Sequence, residues 1–590
     1  MGSFAAAAFA VASVVFHIYL IFTGLLPNLI TRPIHLALAL PWVFVFGPKA
    51  EGLKKWVGYA LCCIGMLGCL YIISHRDQLG DQYGSIEGTG QLVMALGLIL
   101  VILEMARRAI KLALPTVAVI ALAYGFLGQY IPGEFGHSGI PVDSFLGTLV
   151  VAEGGIWGQL TGVSVNVVAV FVILGAFVGV GEGGDAFMAL ATKLAGRYRA
   201  GAAKVSVISS AFFGSISGSA SANVASTGSI TIPAMKRLGY PPQFAAAVEA
   251  VASSGGQIMP PLMGAGAFIM AELLRVNYSD IMAIAVLPAL LFFYATWTGV
   301  DVFARRYNLL AMGKEDIPEL RQVIRLAPFF CLPFCTLLGI LFLTDYTPQF
   351  ASGVAIFVSA ALLCTTINYD FIYLRVFPRL LKACITAAQQ IAVIASIIIC
   401  AGLIIGVLNM TGLGVKITSI ILSFSNGNLW VALILTALSC LILGMEVPTT
   451  AAYVICISVA GPALSELGLP DMYAHLFVFW FALLSTITPP VCGTVFIAAG
   501  MADTPWIPVA GHAMKLGLGL YLVPMAFVAN PALLQITDHP LMSMAALFKI
   551  AFGLWLLSQG IIGGRFPKWT QLPFLGMGGV AIFGFGIGTW

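Results

Sequence analysis

The sequence predicts an all-α polytopic membrane protein built from inverted repeats, with two re-entrant hairpins and two broken helices. Three observations point there. The 590 residues are 60% hydrophobic and only 9% charged, whereas soluble domains carry about a quarter charged residues. Apolar runs of about 20 residues, the length of one membrane crossing, recur between short polar joints. Finally, one segment occurs twice. When residues 212–271 are laid on 441–500 without a gap, Pro233 meets Pro462, Leu238-Gly239 meets Leu467-Gly468 and Pro241 meets Pro470. Pro260-Pro261 then meets Pro489-Pro490, and Gly264 meets Gly493. Helix breakers paired in this way inside apolar surroundings mark the substrate and ion sites of a secondary transporter. A β-barrel would show short alternating strands instead.

The first apolar stretch, 8–28, has no basic region ahead of it and reads as a retained span rather than a cleaved signal. Runs at 34–48, 56–74 and 91–108 follow. The joint from Lys49 to Lys55 is basic and is expected in the cytoplasm, while Asp77, Asp81 and Glu87 fit the outside. Arg107, Arg108 and Lys111 bring the chain back inside. Residues 1–111 therefore read as a four-span module with a cytoplasmic N-terminus.

Residues 112–530 read as the transport module, with repeats at 112–303 and 341–530. Spans at 112–130 and 163–182 flank an outer segment in which 140–160 is expected to lie along the surface as a helix. Lys193, Arg197, Arg199 and Lys204 belong inside, and so do Lys236 and Arg237. Too few residues separate the two groups for a crossing and a return at about 20 residues each. The polar string from Ser215 to Asn223 is therefore the tip of a hairpin that enters and leaves on the cytoplasmic side. Residues 241–274 cross outward, interrupted at Ser253-Ser254-Gly255-Gly256 and at Pro260-Pro261, and 279–303 return to Arg305 and Arg306.

The second half repeats this upside down. Spans at 327–343, 351–367 and 383–409 lead to an outer hairpin with its tip from Gly444 to Thr450, then to a broken span, 471–503, interrupted from Ser485 to Pro490. Spans at 508–530, 541–563 and 570–590 finish the chain, the last two forming a C-terminal addition over 531–590. The total is about 15 full spans.

Hydroxyls, amide oxygens and carbonyls freed by a broken helix suit Na⁺, and the facing half-helix N-termini suit a carboxylate. Candidate ligands of a first Na⁺ site are Ser217, Ser219, Ser221, Asn223, Gly255, Gly256 and Met259. Those of a second are Glu446, Thr449, Thr450, Ser485, Thr486 and Thr488. Ser219, Asn223, Pro260, Thr450 and Pro489 are the substrate candidates. The plainer alternative for either small-residue stretch is tight helix packing. Two intramembrane acids are functional candidates by default. Glu446 could ligate a cation. Glu249 could instead pair with a Lys or Arg, or cap a backbone amide. His17, His475 and His512 read as structural or interfacial groups.

No P-loop is present, so ATP is not the direct energy source. No nucleophile–base pair suggests an enzyme, and no basic cluster suggests nucleic acid. A proton-translocating complex subunit would need mid-membrane lysines, of which there are almost none. The eleven cysteines read as packing residues without a disulfide or metal framework.

The string Gly214-Ser215-Ile216-Ser217-Gly218-Ser219-Ala220-Ser221-Ala222-Asn223, with Pro233-Ala234-Met235 and Leu238-Gly239-Tyr240, resembles the large permease subunit of the tripartite ATP-independent periplasmic (TRAP) transporters. The breaks at Pro260-Pro261 and Thr488-Pro489-Pro490 fit the same family, over residues 112–530. One departure is Met259 ahead of Pro260, where the second break has Thr488. The four preceding spans are similar to the small permease subunit, fused to the large one as in members that use a TAXI-type periplasmic binding protein. The resemblance implies a Na⁺-driven importer of small organic anions in the lipid of the bacterial inner membrane, supplied by that binding protein. It also implies an elevator motion against a scaffold enlarged by the first four spans, so that a monomer suffices. The competing reading is a stand-alone Na⁺- or H⁺-coupled dicarboxylate symporter.

Overall fold

Lipid offers no partners for backbone N–H and C=O groups, so runs of Leu, Ile, Val, Ala and Phe must satisfy them within helices. The computed structural model describes residues 2–24, 26–47, 52–110, 112–371, 376–444, 447–489, 492–563 and 568–588. Among these the only extended pairing is an isolated bridge between Thr365 and Phe371. Ten helices are long and apolar enough to cross a membrane. The other expected spans are the two broken helices, the pair Lys314–Leu326 and Pro328–Leu343 bent by 49°, and the short apolar helices Pro348–Leu363 and Gln571–Phe583.

The first four expected spans are the helices Gly2–Thr23, Asn28–Pro41, Leu53–Ser74 and Gly88–Ile110. The first, second and fourth pack against the 36-residue helix Val376–Thr411. Polar anchors add to this contact. His17 Nε2 lies 2.8 Å from His35 Nδ1, and His35 Nε2 lies 3.0 Å from the Ser164 hydroxyl, with both rings fully buried. Arg32 pairs with Glu153 at 3.1 Å and donates to the Trp157 carbonyl.

The expected surface helix over 140–160 is shorter and largely buried. It runs Val142–Val150, and Phe145, Leu149 and Val150 are fully enclosed. Glycine ends it: a Cβ on Gly155 would stand 2.4 Å from the Leu149 carbonyl oxygen, so the chain folds back on the helix it has just left. Two helices of 13 residues were not anticipated. Leu413–Ser425 lies between Val376–Thr411 and the second hairpin, as Gly183–Ala195 lies between the helix ending at Val180 and the first.

The repeats match element by element. The first contains Gly201–Ser217, Ala220–Arg237, Pro242–Gly255 and Ala265–Leu274. The second contains Leu429–Leu443, Thr449–Glu466, Asp471–Leu484 and Gly493–Ala502. They interleave rather than sit side by side. Pro242–Gly255 packs on Gly493–Ala502, and Ala265–Leu274 packs on Thr449–Glu466. At the C-terminus, Pro540–Ile562 packs against Tyr278–Tyr307 and Lys568–Phe583.

Candidate functional site

The first hairpin turns at Gly218, whose φ of +59° is a left-handed conformation that glycine adopts without strain. Ser219 then caps the second arm by accepting from the Ala222 amide at 3.3 Å. Behind this tip the chain of Pro242–Gly255 loses its helix. A short 3-10 turn, Gly256–Ile258, gives way to an irregular stretch ending at Gly264. The two backbones meet directly. A Cβ on Gly214 would stand 2.3 Å from Gly256 Cα, and one on Gly218 would stand 2.7 Å from Gly264 Cα.

The groups freed by the break find protein partners, as irregular backbone at membrane depth requires. The Leu262 amide donates to the Ser215 carbonyl at 3.3 Å, and the buried Tyr278 hydroxyl donates to the Pro261 carbonyl at 2.6 Å. Asn223 Nδ2 holds the carbonyls of Ser210 at 2.9 Å and Ser253 at 3.4 Å, tying hairpin to broken helix.

The second hairpin is built alike. A Cβ on Gly444 would stand 2.9 Å from Ser485 Cβ, so this tip also presses on its break. Thr494 donates to the Thr486 carbonyl at 2.5 Å, and Thr488 lies 2.8 Å from the Tyr521 hydroxyl. The two breaks meet where the hydroxyls of Ser254 and Thr486 stand 2.8 Å apart. The tips are joined as well. Gln257 Nε2 donates to the Gly218 carbonyl at 3.1 Å, and its Oε1 accepts from Thr449 at 3.0 Å.

Around this bridge lies a cavity of about 140 Å³, lined by Ser217, Gly218, Ser219, Gly264, Thr449 and Thr450, and closed by residues of the two long scaffold helices such as Val168 and Ile394. Three helices of 10 to 18 residues begin at its wall: Ala220–Arg237, Thr449–Glu466 and Ala265–Leu274. Their N-termini present partial positive charge to one space. No Lys or Arg lines it. The Ser217 hydroxyl is buried and has no hydrogen-bond partner among the described residues. Ser217 and Ile216 also line a larger cavity of about 320 Å³, which runs past Thr227 to Asp185 and Met188. That end of the molecule carries Lys193, Arg197 and Arg379.

The candidates are thus unevenly assembled. Ser217, Ser219, Thr449 and Thr450 share the cavity wall. Gly255, Gly256 and Asn223 cluster behind the tip, and Ser485, Thr486 and Thr488 stand at the second break. Met259 and Pro260 are partly buried in the first break. Ser221 is exposed and lines neither cavity. Glu446 and Pro490 lie outside the described residues, while Pro489 is partly buried at the second break. Sequence reasoning missed Gln257. Its only signal was a polar residue beside the break, with no partner nearby in the chain.

The three histidines are structural. His17 belongs to the anchor described above, His475 Nδ1 lies 2.7 Å from the buried Tyr453 hydroxyl, and His512 stands edge-on to Phe244 and Phe303. Glu249 neither pairs with a cation nor caps an amide. Its five hydrogen-bond partners are all hydroxyls.

Residues 97–542 match the family described as "Tripartite ATP-independent periplasmic transporter, DctM component". The chain is 25% identical over 375 residues to the C4-dicarboxylate TRAP transporter large permease protein DctM of Pseudomonas aeruginosa, covering 64% of this chain and 84% of that protein. It is 22% identical over 338 residues to the sialic acid TRAP transporter large permease protein SiaM of Vibrio cholerae, covering 57% and 76%. Over 409 residues it is 22% identical to the isethionate TRAP transporter permease protein DctMQ of Oleidesulfovibrio alaskensis, covering 64% and 62%.

Proposed function

Since the chain belongs to the DctM-component family of tripartite ATP-independent periplasmic transporters, we propose that it imports a small organic anion delivered by a periplasmic binding protein and driven by Na⁺. It is a multi-pass membrane transporter permease, not an enzyme. The observation that carries the reading is the small cavity between the hairpin tips. Three helix N-termini meet there beside the unpartnered Ser217 hydroxyl, with no fixed cation. Such a wall attracts a carboxylate or sulfonate through backbone amides and hydroxyls, and holds it weakly enough for release. The relatives named for C4-dicarboxylate, sialic acid and isethionate make these three anions the first probes.

Na⁺ would sit behind the tips, where Gly255, Gly256 and Ser485 crowd small residues and freed carbonyls together. The unit carrying both hairpins would move as an elevator against the helices around Val376–Thr411, taking the cavity from one face to the other. In the present state the cavity adjoins the space leading to the basic end, which we read as cytoplasmic because Lys and Arg gather there. On this reading the N-terminus is cytoplasmic, and the protein works in the bacterial inner membrane as a monomer with a TAXI-type partner.

Purified protein in liposomes, given a periplasmic binding protein that captures the anion, should accumulate succinate, N-acetylneuraminate or isethionate under an inward Na⁺ gradient. Equal uptake under choline would remove Na⁺ coupling. Equal uptake without the binding protein would favour a stand-alone symporter. Ser219→Ala, Thr450→Ala and Thr488→Ala should each raise the Na⁺ concentration for half-maximal rate, by about tenfold where a ligand worth about 1.4 kcal/mol is lost. Asn223→Ala should do the same and also destabilise the fold, because it releases the carbonyls of Ser210 and Ser253. Four unchanged Na⁺ curves would place the ions elsewhere.

A further inference from the structure

Glu249 is fully buried in the middle of Pro242–Gly255. Its Oε2 meets the hydroxyls of Ser206 at 2.7 Å and Thr231, and its Oε1 meets Ser253 at 3.0 Å, Ser210 at 3.2 Å and Thr227. Removing an ionised carboxylate from water is costly unless a countercharge or several donors compensate. Among the described residues there are donors here and no countercharge. On the hairpin arms, Lys204 is paired with Asp301 at 2.8 Å, Lys236 donates to the Ala502 carbonyl, Arg237 is exposed, and Tyr240, at the foot of the second arm, is buried. On Tyr278–Tyr307, Arg305 is held by Asp301 and Arg306 by the Ile562 carbonyl, while Asp280, Tyr294 and Tyr307 are exposed. The Tyr278 hydroxyl is turned to Pro261. From the second repeat, His512 packs on aromatic rings, and Asp503 and Lys515 are exposed.

The hydroxyls touch the carboxylate directly, which leaves no room between them for a metal ion. A proton needs none. The cradle also suits both states of the carboxyl. A hydroxyl has one hydrogen and can either donate or accept. Thr227 has a second acceptor in the Asn223 carbonyl at 2.8 Å, and Thr231 has one in the Thr227 carbonyl at 3.0 Å. With Glu249 ionised, both hydrogens point at it. With Glu249 protonated, both can turn to these carbonyls. Bonds to the i−4 carbonyl are ordinary for helical threonines, so they permit the exchange without marking it; what a merely structural acid would not need is an exit. Glu249 has an exit, because Thr227 lines the larger cavity. Thr227 is also 3.3 Å from Asn223 Oδ1, so a turn of its hydroxyl is felt at the first hairpin tip.

We propose that Glu249 is a proton-binding site of this carrier, loaded and emptied through Thr227 from the larger cavity. In the release step the proton leaves Oε1 for Thr227 Oγ1, and the hydrogen already on Thr227 passes to a water in the cavity, so only O–H bonds form and break. Glu249 itself bonds none of the Na⁺ candidates, although Thr227 touches one of them, Asn223, and its part in transport rests on the carrier reading given above.

Infrared difference spectra of the purified full chain across a pH step should contain a protonated-carboxyl band that is lost in Glu249→Gln. Absence of such a band from the wild type at every pH where it stays folded overturns the proposal, and so does an unchanged band in Glu249→Gln. Glutamine keeps the shape and still accepts from hydroxyls, so this variant should fold; if it does not, the wild-type spectrum alone decides. In liposomes, the pH dependence of exchange of whichever of succinate, N-acetylneuraminate or isethionate accumulates should flatten in Glu249→Gln, and Thr227→Val should slow exchange at both ends of that range. Exchange with an unaltered pH profile in Glu249→Gln overturns the proton site and leaves the carrier reading intact. Wild-type liposomes that exchange none of the three anions defeat the carrier reading, while the infrared band still judges the site.

Discussion

Gly214→Ala should yield a protein that unfolds at lower temperature and fails to transport, while Gly500→Ala should be at least as stable as the wild type. The Cβ added at position 214 would lie 2.3 Å from Gly256 Cα, 2.8 Å from Asn223 Nδ2 and 2.9 Å from the Gly256 carbonyl carbon. Two of those three atoms are backbone, so no rotamer change relieves the clash. Hairpin and broken helix must separate, at a cost of about 1–3 kcal/mol by the usual scale of overpacking. The separation also pulls Asn223 from the Ser253 carbonyl on the broken helix. Gly500 is exposed in the helix Gly493–Ala502 with open space where its Cβ would go, and Ala in a helix interior is favoured over Gly by roughly 0.5–1 kcal/mol. Thermal unfolding in detergent and uptake in liposomes together check the pair. Equal stability of Gly214→Ala and wild type would mean that the hairpin does not rest on the break as described.

The hairpins and breaks were legible because their signals are local. Gly218 and Ser219 announce a turn and a cap, and Pro260-Pro261 and Pro489 announce interruptions at matching places. Lys and Arg at the joints are the basis on which the sequence reading expects the inverted order. What stayed hidden depends on neighbours distant in the chain. The carboxyl of Glu249 looks the same in the sequence whether it will meet a lysine or five hydroxyls. Four of those hydroxyls come from the arms of the first hairpin, at positions set by helix packing. Gln257 reaches across to the other repeat, and nothing near it names Thr449. Leu413–Ser425 merges with its apolar surroundings in the sequence because its start is marked only by glycines, Gly412 and Gly414, with no proline or charged cluster to set it apart from the preceding span.

Gln257→Leu should reduce transport by about tenfold or more, equivalent to about 1.4 kcal/mol, with a smaller effect on folding. The side chain makes the one described hydrogen-bonded link between the two hairpin tips, donating to the Gly218 carbonyl and accepting from Thr449. Leucine fills much of the same volume and offers neither bond. A buried group left without its partner costs about 1–3 kcal/mol. The lower part of that range applies here, because Gly218 and Thr449 line the 140 Å³ cavity and water can reach them. The fold keeps the packing of Ala265–Leu274 on Thr449–Glu466. The tips, however, lose the contact that makes them close on a solute together. Thr449→Val removes only the second bond and should have the milder effect. In the double variant the losses should fall short of their sum, by an interaction energy of at least about 0.5 kcal/mol and no more than the Thr449→Val loss itself, as expected for residues in contact. Strict additivity of the two losses in uptake rate would show that Gln257 and Thr449 act independently, and the tips would then have to be coupled through the helices behind them.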